Sequence, residues 1–150
     1  MPDPHDDFMR EALRQARLAL PDDVPVGAVL VREGKLVARG YNRRERLQNA
    51  LVHAELDAIA AACERLGSWN LSGCTMYVTL EPCPMCAGAI AQARIDRVVF
   101  GAFDTKAGAL GSVCDLYAMP FPHCPLVISG VLARECSALL GDFFRQLRRR

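Results

Sequence analysis

The sequence predicts an α/β fold in which helices cover both faces of a β-sheet, giving three layers. Short apolar runs rich in β-branched residues alternate with amphipathic stretches of helical length, and this alternation is typical of the α/β class. The first of these runs, residues 24–31, is almost wholly apolar, as expected of a strand buried on both faces. A chain of 150 residues has the length of one domain, so we expect a single domain over residues 1–150.

The chain is predicted to begin with a helix and a hairpin. Residues 6–20 place apolar side chains at helical spacing, with aspartates in the first turn, where the helix dipole favours acidic groups. The runs 24–31 and 36–41 are strand-like, and the polar residues 33–35 between them include a glycine. Two strand-like runs joined by so short a connection predict a hairpin.

A helix, a strand and another helix are predicted to follow. The polar, basic stretch 42–49 is interpreted as a loop, and apolar residues at helical spacing over 53–66 indicate a helix that Gly67 ends. Residues 76–80 predict a strand. The two prolines in 82–84 indicate a turn from this strand into a helix of small residues, 85–93.

The last part of the chain is predicted to supply two strands and a terminal helix. Residues 95–100 and 126–128 are strand-like, and residues 133–147 carry a broad apolar face at helical spacing. The stretch 101–111 is rich in Gly and Ala and is interpreted as a loop at the end of a strand, where sites of α/β folds usually lie. Trp69 is interpreted as a core residue, with an interface as the alternative.

Composition limits the kinds of protein that the sequence can describe. Hydrophobic residues make up 51%, but no apolar run approaches the ~20 residues of a membrane span, so we expect a soluble protein without membrane contact. The N-terminus is acidic and lacks the features of a signal peptide, which predicts a cytoplasmic location. The seven cysteines form no regular framework, so disulfides are not expected, and metal binding is the better use of the closely spaced pair.

The charge distribution allows a nucleic-acid partner without requiring one. The net charge is +1, and binding to nucleic acid depends on local clusters of positive charge rather than on the sum. One cluster lies at residues 43–46 and the other at the arginine-rich end, 145–150. Solvated surface charge is the alternative interpretation of the first cluster and the preferred interpretation of the arginine-rich end.

Two short stretches supply a set of metal ligands. Cys83 and Cys86 are three residues apart at the predicted start of a helix, so both sulfurs can face one point and the helix dipole favours their thiolate forms. His53 would make a third ligand. Three protein ligands leave the fourth position of a tetrahedral Zn²⁺ for water, which is the arrangement of a catalytic zinc site.

Glu55, two residues after His53, is the candidate catalytic residue. Zinc lowers the pKa of a bound water towards 7, and a nearby carboxylate can accept its proton and pass it to a ring nitrogen and a leaving amine. The alternative is a first-turn glutamate that only stabilises the helix dipole. For the cysteine pair, the alternatives are a redox motif and half of a structural zinc site.

These residues resemble a known signature. H-x-E followed by P-C-x-x-C is similar to the motif of the zinc-dependent nucleobase deaminases, the cytidine and deoxycytidylate deaminase superfamily. Further segments resemble the bacterial tRNA-specific adenosine deaminases, and they are residues 24–31, 40–43, 78–89, 101–108 and 142–144. The resemblance covers about residues 6 to 148 and implies a cytidine-deaminase-like fold with a five-stranded mixed sheet.

The resemblance also implies a substrate and a set of contacts. The substrate would be the wobble adenosine of a tRNA anticodon stem-loop, deaminated to inosine by a homodimer with one zinc per subunit. Five residues would bind it: Asn42 on the flipped base, Val26 and Ala28 in the pocket wall, Asp104 near a ribose and Lys106 near the backbone. From position alone, Asn42 could be a turn residue, Asp104 a loop cap, and the two apolar residues simple core.

Two other functions remain compatible with the same motif. A deaminase of a free base or nucleotide, such as guanine or cytidylate, would share His53, Glu55 and the cysteines. A zinc-stabilised RNA-binding subunit without activity is the alternative from another class, although binding alone needs no glutamate beside the metal. His5 and His123 have no ligand spacing and are interpreted as surface or loop residues.

Overall fold

The computed structural model describes residues 3–150 and contains one mixed sheet of five strands. Its strands, in chain order, are β1 (Gly27–Arg32), β2 (Lys35–Tyr41), β3 (Cys74–Leu80), β4 (Arg97–Ala102) and β5 (Leu126–Ile128). Their order across the sheet is β2-β1-β3-β4-β5. β1 runs antiparallel to both β2 and β3, while β3, β4 and β5 are parallel. The predicted α/β class and the five-stranded mixed sheet are confirmed.

Helices cover both faces of this sheet. They are α1 (Pro4–Arg17), the short α2 (Arg44–Leu47), α3 (Ala54–Leu66), α4 (Pro84–Gln92) and α5 (Ala133–Arg148), with a 3-10 helix over Leu116–Ala118. One core contains residues of α3 and α4, and the other contains residues of α1 and α5. Ala28 and Leu30 of β1 face the first core, whereas Val29 and Val31 face the second. β1 is therefore buried on both faces, as its apolar sequence predicts.

Several element boundaries differ from the predicted ones. α1 ends at Arg17 and β1 begins at Gly27, because Pro21 and Pro25 disfavour helix and strand pairing in the connection. The predicted polar loop contains the helix α2. The first turn of α2 is capped by a residue that lies far from it in the sequence. The carboxylate of Asp23, only 1% exposed, accepts the backbone N–H groups of Glu45 (2.6 Å) and Arg46 (3.1 Å). No local pattern reports such a contact.

Two further predictions are corrected. Gly101 is the penultimate residue of β4 and not the start of a loop, since the strand extends under α5, where Gly101 packs against Cys136. Trp69 is 64% exposed and does not belong to the core. The guanidinium carbon of Arg94 lies 5.9 Å from the centre of its ring, so a cation–π contact holds the indole at the surface. No helix within residues 3–150 is long and apolar enough to cross a membrane.

Glycine at position 40 lets β2 approach the helix that carries Glu55. A Cβ atom built on Gly40 would meet the carbonyl oxygen of Ala54 and lie 2.6 Å from the backbone nitrogen of Ala58. Both contacts are with the backbone of α3, which cannot move aside like a flexible side chain. Close packing of this kind is disrupted even by one extra methyl group.

We therefore expect Gly40→Ala to lower the free energy of unfolding by about 1–3 kcal/mol. Urea denaturation measures this change. Gly88→Ala is the matched control, because a Cβ at Gly88 in α4 has no heavy atom within 4 Å and alanine is the better helix former by ~0.5–1 kcal/mol. Equal effects of the two substitutions would contradict the close approach of β2 to α3.

Candidate active site

The site is built where the N-termini of α3 and α4 meet. His53 is the N-cap residue of α3 and Cys83 is the N-cap residue of α4, both with extended backbone. Pro84 occupies the first turn of α4, a position where its missing N–H removes no hydrogen bond. Glu55 and Cys86 lie in the first turns of their helices. The four residues are thus held by regular elements that pack on the same face of the sheet.

The side chains of His53, Cys83 and Cys86 form a compact group of possible ligands. Their ligand atoms all lie within 4.8 Å of one another. His53 Nδ1 is 3.7 Å from the sulfur of Cys83 and 3.5 Å from that of Cys86. Tetrahedral zinc with ordinary Zn–S and Zn–N bond lengths would place a nitrogen and a sulfur about 3.6 Å apart. The observed spacing therefore fits one zinc ion.

The protonation of the two thiols favours a cation at this place. A hydrogen bond from the Cys86 thiol lowers the pKa of Cys83 to about 4, and the same bond together with burial raises the pKa of Cys86. The hydrogen bond to Cys83 also raises the pKa of His53, although burial opposes it. A divalent cation bound to both sulfurs would displace the proton that remains on Cys86.

Glu55 is a buried carboxyl group beside these ligands. It is 4% exposed, and burial raises its pKa to about 7. A carboxyl group that titrates near neutrality can accept a proton and release it again at working pH. This burial therefore suits Glu55 for proton transfer.

A cavity of about 440 Å³ opens in front of this group. Its lining includes His53, Glu55 and Cys83, while Cys86 is fully buried behind them. Four of the predicted substrate-binding residues line the same cavity, namely Val26, Asn42, Asp104 and Lys106. Ala28, the fifth of them, lies elsewhere. Ala28 is fully buried in β1 between Gly40 and Val78 and is absent from the lining.

Asn42 and Asp104 also make the local contacts that their positions suggest. Asn42 donates a side-chain N–H to the Val24 carbonyl (3.2 Å) and accepts the backbone N–H of Arg44 (3.1 Å). Asp104 accepts the backbone N–H groups of Lys106 (3.0 Å) and Ala107 (3.1 Å) on one oxygen. An amide has a second N–H and a carboxylate a second oxygen, so these contacts leave each side chain able to bind another group.

The structure adds residues that sequence reasoning did not select. Arg44, Glu81, Phe103 and Phe144 all line the cavity. Phe144 belongs to the predicted apolar face of the last helix, but it is 42% exposed at the rim, and periodicity cannot separate a rim residue from a core residue. Glu81 lies directly before the Pro-Cys turn, and its position was the only signal that could have identified it.

The two other histidines lie elsewhere, as the sequence suggests. The His5 ring hydrogen-bonds with the Tyr77 hydroxyl at 2.7 Å, and His123 donates from Nε2 to the Ile95 carbonyl at 2.9 Å. Both side chains are half-buried, and their hydrogen bonds join separate parts of the fold. Neither ring belongs to the ligand group.

A compact His-Cys-Cys ligand group, a buried carboxyl group and an open cavity together define a metal-dependent hydrolase. The profile of the family described as "Cytidine and deoxycytidylate deaminase zinc-binding region" matches residues 2–102. The chain belongs to this family and is a zinc-dependent deaminase with one Zn²⁺.

The chain is similar in sequence and in structure to tRNA adenosine deaminases. The tRNA-specific adenosine deaminase of Bacillus subtilis (strain 168) is 49% identical over 145 residues, which are 95% of this chain and 90% of that protein. A solved structure from studies of A-to-I editing by tRNA:A34 deaminases at the wobble position has a TM-score of 0.86 at 46% identity, covering 89% of this chain and 98% of that one.

A deaminase of a free base has the same fold. The guanine deaminase of Nitrosomonas europaea has a TM-score of 0.77 at 24% identity, and the match covers 95% of this chain and 85% of that one. At this identity the similarity concerns the fold alone. Fold similarity therefore does not distinguish an RNA substrate from a free base.

Proposed function

We propose that this protein converts adenosine to inosine at the wobble position of a tRNA anticodon. The observation that carries the proposal is the 49% identity to a tRNA-specific adenosine deaminase over 95% of the chain. This match extends through the segments that line the cavity and is not limited to the ligand motif. The guanine deaminase, by contrast, shares the fold at 24% identity.

In this proposal His53, Cys83 and Cys86 hold the metal and Glu55 moves the protons. A zinc ion held by these residues would provide a water of lowered pKa as the attacking group. Glu55 would take both protons of this water in turn, the first from the water itself and the second from the hydroxyl that it leaves on the base, and would deliver them to a ring nitrogen and to the departing amine. In the net reaction, the oxygen of water replaces the amino group at C6 of adenine and ammonia leaves. The burial of Glu55 keeps bulk water from competing for these protons.

The cavity has the size and lining that a flipped nucleoside needs. Its volume of about 440 Å³ lies in the range of small-molecule sites, ~300–1,000 Å³. Asn42 and Val26 would contact the base, and Asp104 and Lys106 would contact the sugar and backbone beside it. A base in a single-stranded loop is unpaired and enters such a pocket at a small energetic cost.

The partner in this proposal is the anticodon stem-loop. Arg44 and Lys106 stand on the cavity lining, and so does Phe144 of α5, the helix whose end carries the arginine-rich terminus. Cationic side chains around a cavity attract a phosphate backbone. These residues support RNA binding by this face of the protein.

We also propose one deaminase domain over residues 1–150 that works as a homodimer in the cytoplasm. All five strands share one sheet, which supports a single domain. Val113, Met119 and Phe121, all within residues 113–121, are each more than half exposed, and large apolar side chains left exposed are candidates for an interface. All seven cysteines are free thiols, which suits a reducing compartment. Light scattering on the purified protein measures the subunit number.

One assay separates the candidate functions. The protein is incubated with a tRNA whose anticodon begins with adenosine, with the same tRNA carrying guanosine there, and with free adenosine, guanine and cytidylate. We expect inosine at the wobble position of the first tRNA only. Ammonia released from a free base or nucleotide, without inosine in tRNA, would identify a small-molecule deaminase. Binding of tRNA without any product would identify a non-catalytic subunit.

A further inference from the structure

Glu81 is a buried carboxylate between β3 and the ligand Cys83. It is 2% exposed and accepts four hydrogen bonds, all from residues 104–112. Oε1 accepts the backbone N–H of Asp104 (3.1 Å) and the hydroxyl of Ser112. Oε2 accepts the backbone N–H groups of Leu110 (3.0 Å) and Ser112 (3.1 Å). One side chain thus binds both ends of this segment.

The segment 103–112 is folded around that carboxylate. A Cβ atom on Gly108 would overlap the Glu81 carboxyl group, so only glycine lets the backbone pass so close. The N–H of Gly108 bonds to the Asp104 carbonyl at 2.9 Å, and the N–H of Ala109 bonds to the Pro82 carbonyl at 2.9 Å. The segment is therefore attached to the turn that carries Cys83.

The outer side of the same segment forms a wall of the cavity. Phe103, Asp104, Thr105, Lys106 and Ala107 are all part of the lining. The carboxylate holds the backbone of Asp104 directly, and Asp104 in turn holds the N–H of Lys106. The position of this wall relative to the metal ligands thus depends on Glu81.

We propose that Glu81 is a positioning residue for substrate binding. It fixes the position of residues 103–107, which form a wall of the cavity, relative to the metal ligands. The inference rests on the proposed function for the identity of the substrate, an RNA that extends beyond the flipped base. Glu81 does not touch the reacting atoms in this proposal. It acts through Asp104 and Lys106.

An ionised carboxylate is the group that this arrangement requires. It offers acceptor positions on both oxygens and carries no proton of its own. In Glu81→Gln, either orientation of the amide would point its NH₂ group at a backbone N–H, of Asp104 or of Leu110 and Ser112. At least one buried donor would lose its partner, which destabilises the bonded arrangement of the segment.

The test compares Glu81→Gln with Glu33→Gln, the same change at an exposed turn residue. Three quantities are measured: zinc per chain, amide hydrogen exchange over residues 103–113, and kcat and KM on an anticodon stem-loop RNA. For Glu81→Gln we expect full zinc content, exchange at least about tenfold faster, and a KM at least about tenfold higher with kcat within about threefold of wild type. Glu33→Gln should match wild type in all three.

A milder variant keeps the test decisive if Glu81→Gln does not fold. Ser112→Ala removes the hydroxyl donor and leaves three backbone bonds, so we expect KM to rise about threefold with faster exchange in the same segment. Unchanged exchange and KM in the folded variant, or a loss confined to zinc or kcat, would overturn the positioning role. Absence of inosine with the wild-type protein would overturn the proposed function instead, and the exchange data would still test whether Glu81 holds the segment.

Discussion

Replacing Glu55 with Gln is expected to lower kcat by roughly 10²- to 10⁴-fold while zinc content and RNA binding stay at wild-type levels. The amide keeps the shape of the side chain but cannot accept a proton from water or carry it to the base. In free-energy terms, the barrier rises by about 3–5 kcal/mol. The fold should tolerate the change, because burial already favours an uncharged group at this position.

Glu64→Gln supplies the matched control for this experiment. Glu64 lies on the same helix α3, but its side chain is exposed and distant from the cavity lining. Single-turnover rates with saturating enzyme separate chemistry from binding, and metal analysis reports zinc. A Glu55→Gln enzyme with a near-normal rate would remove Glu55 from proton transfer. A variant that lost zinc would instead show that Glu55 supports the metal site.

The ligand group could be predicted because its spacing is local in sequence. Cys83 and Cys86 are brought together by one helix turn, and His53 precedes Glu55 by two residues at the start of another helix. Apolar periodicity identified α3, whereas the prolines and the run of small residues identified α4. The N-termini of the two helices meet because of the order of the strands in the sheet. Motif spacing does not predict that order, and the family resemblance did.

The cavity wall was harder to predict because it depends on position along a strand. Val26 and Ala28 have the same parity, so both point to the same face of the sheet. Val26 lies beyond the end of β1 and reaches the cavity, whereas Ala28 is paired on both sides and buried in the core. Periodicity predicts which face of the sheet a side chain points to. It does not predict which residues along a strand reach the cavity and which are buried in the core.

The buried carboxylates Asp23 and Glu81 lay outside what the sequence could predict. Asp23 caps α2 across 22 residues of chain, and Glu81 binds Ser112 across 31 residues. In the sequence, Asp23 lies between Pro21 and Pro25, and Glu81 directly precedes Pro82, and neither pattern indicates a distant partner. Asp23 holds the short helix α2, which begins at the lining residue Arg44, and Glu81 holds the segment 103–112. The least predictable contacts are therefore those that shape the cavity wall.

Replacing Cys83 with Ala is expected to remove zinc and, with it, stability and turnover. The variant leaves one sulfur and one imidazole, too few ligands to hold the ion tightly. Because metal bound only to the folded state adds to the free energy of unfolding, we expect the melting temperature to fall by roughly 5–10 °C. Elemental analysis and thermal denaturation measure the two effects.

Cys114→Ala is the control, because Cys114 is an exposed thiol outside the ligand group. It should retain one zinc per chain and melt as wild type does. A chelator sharpens the comparison: it should lower the melting temperature of wild type and of Cys114→Ala but leave that of Cys83→Ala unchanged, since no ion remains to be withdrawn. Full zinc content in Cys83→Ala would contradict the ligand assignment. A melting temperature that falls without zinc loss would mean that the Cys83 thiol stabilises the turn before α4 by packing and not through the metal.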